Sequence, residues 1–365
     1  MTKKIRSKIT FIVPGRGTKP VGGFRMIYEY ANKLTMLDFD VCIVHVACLL
    51  KSHFFVAGLG RFIYCLLFYR FYKPWFNLDK KIRIKWVFIP GSYYIPDADF
   101  IVASSWETAE YVAIYPQSKG KKFYLIQGNE SEFPRVVKNG WQERVKNTWN
   151  YPMQKVTVSS WLSEKLTERG VISQKIFNGI DQENFFVSNA PENRIATTVI
   201  MLYHDSIAKG SYDGITALRS VKINFPALKV ILFGVPARPE GLEDWFSYYR
   251  LPDRDQLRNL YNQSAIFISP SHTEGWGLPV IESMLCGCSV LTSDIGGFKD
   301  FVINEVTGLT FEVKNINDIS EKIAYLIKND QIRFNFAHAG ETFVKRFSWD
   351  NAIKQFVDLT KSVPE

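Results

Sequence analysis

At 365 residues, with 46% apolar and 22% charged, the chain is long enough for two ordinary domains, each burying its own core. The absence of low-complexity tracts excludes an extended disordered chain. The net charge of +9 fits nucleic acid, anionic lipid or phosphorylated small molecules, but the basic clusters at 3–8, 80–85 and 119–122 lack zinc-finger spacing and RNA-binding aromatics, so nucleic acid drops out.

The basic start reaches Pro14 and Gly15 after only five apolar-rich positions, so 9–13 reads as a first β-strand and not as a signal peptide. A Gly-rich turn follows and ends in Gly22-Gly23. Residues 24–37 then have helical spacing, with Ile27, Tyr30, Ala31 and Leu34 on one face, and 41–46 is a second strand. Strand, Gly-rich turn, helix, strand predicts a parallel sheet. The segment 53–76 breaks this rhythm. Its aromatic run 54–68 is flanked by Lys51, Arg70 and Lys73, carries Arg61 in the middle, and is shorter than the roughly twenty residues of a membrane span. That composition predicts an interfacial membrane contact, with a buried core helix as the alternative.

Further strands are predicted at 100–103, 122–126 and 155–158, with a capped helix at 160–169. Asp97-Ala-Asp99 precedes one of these strands with no third ligand in view, so it reads as turn chemistry and not as a metal site. His45, inside a strand, and His338, in a late helix, read as structural. The polar stretch 181–194 predicts a domain seam. A second α/β round follows, with strands at 197–202, 228–233, 265–269 and 289–292, a helix after Lys209-Gly210, and a last helix at 349–360. The five cysteines lie in apolar segments and read as reduced, buried thiols of a cytoplasmic protein; Cys286-Gly-Cys288 has neither redox nor zinc spacing.

The most informative stretch is Glu274-Gly-Trp-Gly-Leu-Pro-Val-Ile-Glu282. Two carboxylates flank a Gly-rich turn between a strand and a helix with Pro279 near its start. Amides at such a helix start suit a phosphate, while carboxylates suit the hydroxyls on either side of it. That is the pattern of a nucleotide-sugar site.

The region 273–302, with its second Gly-rich turn Asp294-Ile-Gly296-Gly297, resembles the donor motif of the family-4 retaining glycosyltransferases. Asn178-Gly-Ile-Asp181, Lys209-Gly210 and Gly22-Gly23 are similar to further landmarks of that family, in its order. The resemblance implies a GT-B fold: two doubly wound Rossmann-like α/β domains with an interdomain cleft. Residues 1–185 would bind acceptor and 186–346 the nucleotide sugar, with 347–365 packing back on the first domain.

Carried over by position, Glu282 would hold the ribose, Glu274 a hydroxyl of the transferred sugar, and Lys209 the diphosphate. The backbone of Gly275, Trp276, Gly277 and Leu278 would face the distal phosphate, and Gly22 and Gly23 would close over it. Tyr203-His204-Asp205 stands where the family often has an Arg, leaving His204 as its possible substitute. Lys299-Asp300 stands where a Glu is common at the second position. On the acceptor side, Gln127, Glu130 and Trp106 resemble a branch that includes bacterial rhamnosyltransferases. Gln127 cannot act as a base, and a retaining front-face transfer needs none.

The resemblance thus implies a metal- and cofactor-independent retaining transferase. It would move a hexose or deoxyhexose from a nucleoside-diphosphate sugar to a lipid-linked saccharide of bacterial surface polysaccharide (O-antigen or capsule), peripherally on the inner face of the cell membrane. Two rivals stand beside it: a non-catalytic sugar-nucleotide-binding protein, and another enzyme on this fold such as an epimerase or a phosphorylase.

Overall fold

The computed structural model describes residues 6–15, 20–49, 63 and 75–362. The chain divides into two compact units: Met1–Val158 with Leu162–Phe177 and Asp350–Glu365, and Ser159–Trp161 with Asn178–Trp349. Among the described residues the first unit holds a seven-stranded sheet of β1 (Lys8–Pro14), β2 (Asp40–Val46), β3 (Arg83–Val87), β4 (Phe100–Ala103), β5 (Lys121–Ile126), β6 (Gln154–Thr157) and β7 (Gln174–Lys175). The second holds six strands: β8 (Thr198–Tyr203), β9 (Lys229–Gly234), β10 (Phe246–Arg250), β11 (Ile266–Ser269), β12 (Ser289–Ser293) and β13 (Leu309–Phe311). The orders are β3-β2-β1-β4-β5-β6-β7 and β10-β9-β8-β11-β12-β13, with every pairing parallel.

Parallel sheets are covered by helices on both faces, so their inner strands are apolar on both sides. Ile9, Phe11, Ile12 and Val13 of β1 are fully buried. The α-helices with described bounds in the first unit are α1 (Gly22–Met36), α2 (Trp106–Val112), α3 (Pro134–Lys138), α4 (Gln142–Thr148) and α5 (Ser160–Thr167), whose first two residues count with the second unit. Helix α1 buries Met26, Ile27, Tyr30, Ala31 and Leu34, the three-and-four spacing that faces a sheet. Ser105 and Thr108 form a reciprocal capping box at the start of α2. The second unit has α6 (Ser211–Asn224), α7 (Arg254–Gln263), α8 (Leu278–Leu285), α9 (Ile316–Lys328) and α10 (Asp330–Val344). The last helix, α11 (Trp349–Ser362), belongs to the first unit from Asp350 onward, where Phe356 packs on Tyr30 and Phe123 with ring centroids 5.3 and 5.9 Å apart.

Four strands were not legible in the sequence: β3, β7, β10 and β13. They are the outer strands of the two sheets. The stretch 236–254 contains β10, whose Tyr248 hydroxyl donates to the Pro236 carbonyl at 2.6 Å. The segment 53–76 lies outside the described residues except for Ile63, Trp75 and Phe76. Phe76 is 6% exposed and packs on Tyr28, so this end of the segment is core and not an interfacial surface. No helix among the described residues is long and apolar enough to cross a membrane.

The polar run 181–194 also hides a buried cation. Arg194 is 5% exposed, and its guanidinium donates to the carbonyls of Asn189, Tyr261, Ser264 and Cys286. It thereby ties the run to the C-terminal ends of α7 and α8, where carbonyls lack helical partners and a positive charge is favoured.

Candidate functional site

In each sheet the chain reverses its direction of strand addition once, between β1 and β4 in the first unit and between β8 and β11 in the second. Loops leaving two such strands diverge and open a crevice at the strands' C-terminal ends, where ligands of open α/β sheets bind. Lys209 follows β8 and Glu274 follows β11. The two most specific sequence candidates therefore flank the switch point of the second unit.

The structure brings them together. Lys209 Nζ donates to Glu274 Oε1 at 2.5 Å, and the Ser271 hydroxyl donates to the same oxygen at 3.0 Å. The Glu274 side chain is 13% exposed and the Lys209 side chain 29%, so the pair is shielded from solvent more than a surface ion pair. Lys209, Ser271, Glu274, Gly277 and Pro279 line a hollow of about 10 Å³, room for about one water molecule. A larger hollow of about 710 Å³ lies by Thr198 and Lys229, the first residues of β8 and β9. It is at the N-terminal end of the sheet, away from these groups and from the crevice at the switch point.

Two glycine-rich turns shape this corner. Gly277 has φ +84° at the start of α8, and a Cβ there would lie 2.3 Å from the Phe298 ring. A Cβ on Gly297 would lie 2.2 Å from the Glu274 carbonyl oxygen. The second turn thus seats its backbone directly under the first. Trp276 is 4% exposed and sits edge-on to Phe301 and Phe347, so its indole is a support and only its backbone faces the turn. Gly275 and Leu278 flank it and are half-buried. Glu282, in the second turn of α8, is 3% exposed. Asp300 accepts from the Ser160 amide at 2.7 Å, and Lys299 pairs with Asp294.

His204 is a neutral ring. Its Nδ1 accepts from the Ser206 amide at 2.9 Å, and desolvation together with the nearby Lys209 ammonium lowers its pKa from the usual histidine value. It can offer an uncharged Nε2–H but not the charge of an arginine.

Sequence reasoning missed Asp213 and His272. His272 Nε2 is 2.7 Å from Asp213 Oδ2, and the His272 amide donates to the Ala208 carbonyl at 2.8 Å. The available signal was their spacing: His272 stands two residues before Glu274, and Asp213 four after Lys209. Their pairing is long-range and has no periodic signature.

In the first unit, Gly22 opens α1, and a Cβ on Gly23 would meet the Gln127 amide at 3.6 Å, so these two are neighbours. Gln127 follows β5 and is half-buried. The expectation of an acceptor contact does not fit Trp106. It is 2% exposed, packed with Val136, Val145 and Trp141, and covered by the Arg144 guanidinium at 5.2 Å. Nor is Glu130 an open loop carboxylate. Its Oε2 accepts from the Trp106 amide at 2.8 Å and from the Tyr124 hydroxyl at 3.2 Å, anchoring the start of α2. Burial, and then the charge of Glu107, push its pKa up to about 8.

The other polar candidates have local partners. Asp99 accepts from the Lys8 amide, and Asp97 pairs with Lys119. His45 is buried against Trp86 with its Nδ1 3.0 Å from the Gly15 carbonyl, and desolvation lowers its pKa to about 4. His338 is exposed and pairs with Glu192. Among the described residues no group of three His, Cys, Asp or Glu could hold a metal ion.

Two parallel-sheet Rossmann-like units of this topology define the class: the protein has the GT-B fold. It is similar over 98% of its length to all of HepE of Anabaena, a structure determined with UDP and glucose, at TM-score 0.75 and 17% identity. More particularly, residues 181–343 match the model of the family described as glycosyl transferases group 1. Among curated proteins, the uncharacterized glycosyltransferase MJ1178 of Methanocaldococcus jannaschii is 27% identical over 204 residues, 54% of each chain. The chain thus spans about half the length of that relative. The N,N'-diacetylbacillosaminyl-diphospho-undecaprenol alpha-1,3-N-acetylgalactosaminyltransferase of Campylobacter jejuni is 26% identical over 333 residues, covering 85% of this chain and 82% of its own.

Proposed function

We propose that the protein transfers a sugar from a nucleoside diphosphate to a saccharide acceptor. The carrying observation is the shielded Lys209–Glu274 pair at the switch point of the unit that matches the family. Lys209 would receive the diphosphate charge, Glu274 a hydroxyl of the sugar, Glu282 the ribose, and the start of α8 the distal phosphate. The anomeric configuration would be retained, with the departing phosphate oxygen taking the acceptor's proton. Gln127 has no basic atom, and Glu130 is held by Trp106 and Tyr124. No cofactor enters this scheme, and the donor is a substrate.

The acceptor would be a lipid-linked saccharide of surface polysaccharide, a class in keeping with the diphospho-undecaprenol substrate in the name of the Campylobacter relative. The remainder of the aromatic, cation-flanked segment, 53–74, would then bring the protein to the cytoplasmic membrane face. The deciding experiment measures nucleotide release from a panel of nucleoside-diphosphate sugars, without and with acceptor, followed by NMR of the product anomer. Acceptor-stimulated release with a retained anomer is the expected result. Binding without release for every donor would instead favour a non-catalytic nucleotide-sugar-binding protein, and an inverted anomer would remove the front-face scheme.

A further inference from the structure

The Lys209–Glu274 pair has an intrinsic conflict. If the ammonium also grips a diphosphate its contact with Glu274 weakens, because the phosphates compete with the carboxylate for the same charge. The pair then holds the two loops in register less firmly while a donor is bound. Contacts that use neither side chain would keep the register.

The loop after β11 and the loop after β8 are tied at three further points. A Cβ on Gly210 would lie 1.9 Å from the Pro270 carbonyl oxygen, so the backbones are already in close contact just after Lys209. The His272 amide donates to Ala208, the residue before Lys209, at 2.8 Å. The His272 ring reaches Asp213 in the first turn of α6 at 2.7 Å, with both side chains only 16% exposed. His272 thus grips the chain on both sides of Lys209 while standing two residues from Glu274. A shielded hydrogen bond to a carboxylate is among the stronger side-chain contacts, and it holds α6 as well as the turn that precedes it.

We propose that His272, acting through Asp213, is a positioning residue. It keeps the Lys209 turn at a fixed distance from the Glu274 turn when the donor weakens the ion pair. The inference rests on the donor reading of Lys209 and Glu274 given above. Neither His272 nor Asp213 needs to touch the donor, and the effect is on where the two charged groups stand.

The test uses the full-length chain and donor hydrolysis as readout, with kcat, KM and melting temperature measured for each variant. His272→Ala should lower kcat/KM about tenfold, the effect of losing one charge-assisted hydrogen bond, with the melting temperature near that of the wild type. His272→Gln, whose amide N–H reaches about as far as Nε2–H, should recover most of the loss. Asp213→Ala should resemble His272→Ala, and the double variant should be little worse than either single one.

Wild-type kcat/KM in His272→Ala, additive losses in the double variant, or failure of His272→Gln to rescue would each overturn the proposal. So would a loss of activity that only tracks a loss of folded protein. If His272→Ala does not fold, Asp213→Asn carries the test, because it keeps side-chain shape and removes the charge. Lys209→Ala and Glu274→Gln run alongside. Full turnover in those two would remove the donor reading itself, whereas their loss together with an unaffected His272→Ala would remove the positioning role alone.

Discussion

The switch points of the two units place different chemistry at equivalent ends of their sheets. In the second unit Lys209, Glu274, Asp213 and His272 meet as charged or charge-assisted pairs across two loops and the first turn of α6. In the first, the group beside the Gly-rich turn is an amide, Gln127, while Glu130 holds an α-helix start and Trp106 is packed away. On the proposed reading the second unit does the electrostatic work of a transfer, while the described residues beside the Gly-rich turn of the first offer a neutral amide. Such a division would suit an enzyme whose leaving group is a diphosphate and whose nucleophile is a hydroxyl.

The largest expected effect tests that asymmetry directly. Lys209→Ala and Glu282→Ala should each reduce donor turnover at least tenfold with unchanged melting temperature, since one charged contact is worth about 1.5–3 kcal/mol. Steady-state kinetics beside a thermal melt decides it. Next comes Gly297→Ala. Its new Cβ meets the Glu274 carbonyl at 2.2 Å, so the interlocked turns must separate, at about 1–3 kcal/mol of stability and with a raised donor KM. Denaturant unfolding measures the first and kinetics the second. The equivalent change in the first unit, Gly23→Ala, meets Gln127 only at ordinary contact distance and should be tolerated far better.

Smaller effects belong to the first unit. Glu130 has a folded pKa near 8 against an ordinary 4.5, so the native state holds a proton that the unfolded chain releases. Its contribution is therefore most favourable below pH 4.5 and is lost as pH rises to about 8. Glu130→Gln should match the wild type near pH 4.5 and become progressively more stable than it up to pH 8, by unfolding titrations at both ends. His45 has the opposite slope: lowered to about 4 from 6.5, it withdraws stability as pH falls through that window. Smallest is Gln127→Ala, which should change acceptor-dependent transfer by less than tenfold and leave donor hydrolysis nearly intact. A loss as large as that of Lys209→Ala would break the asymmetry.

What the sequence disclosed follows the same physics. The inner strands could be read because both of their faces are buried, which forces a continuous apolar run such as Phe267 and Ile268 in β11. The strands it did not disclose have neighbours on one side only. β7 is a two-residue Gln-Lys with both side chains exposed, and β3 alternates exposed with half-buried positions under basic residues. Charged, short edges protect a sheet from pairing with other chains, and they erase the hydrophobic signal as they do so. In the site, Lys209, Glu274 and the glycines carried local patterns. The Asp213–His272 contact spans 59 positions and Arg194 lay in a run that looked like linker, so neither had one.

The closing of the first unit by Phe356 has a consequence for synthesis. Tyr30 and Phe123 are among the earliest core residues to leave the ribosome, yet the ring that covers them is made more than two hundred residues later. At about 5–20 residues per second, the half-built first sheet waits on the order of ten seconds or more with that patch open to water and chaperones. Nascent chains stalled before position 356 should therefore be the aggregation-prone species of this protein.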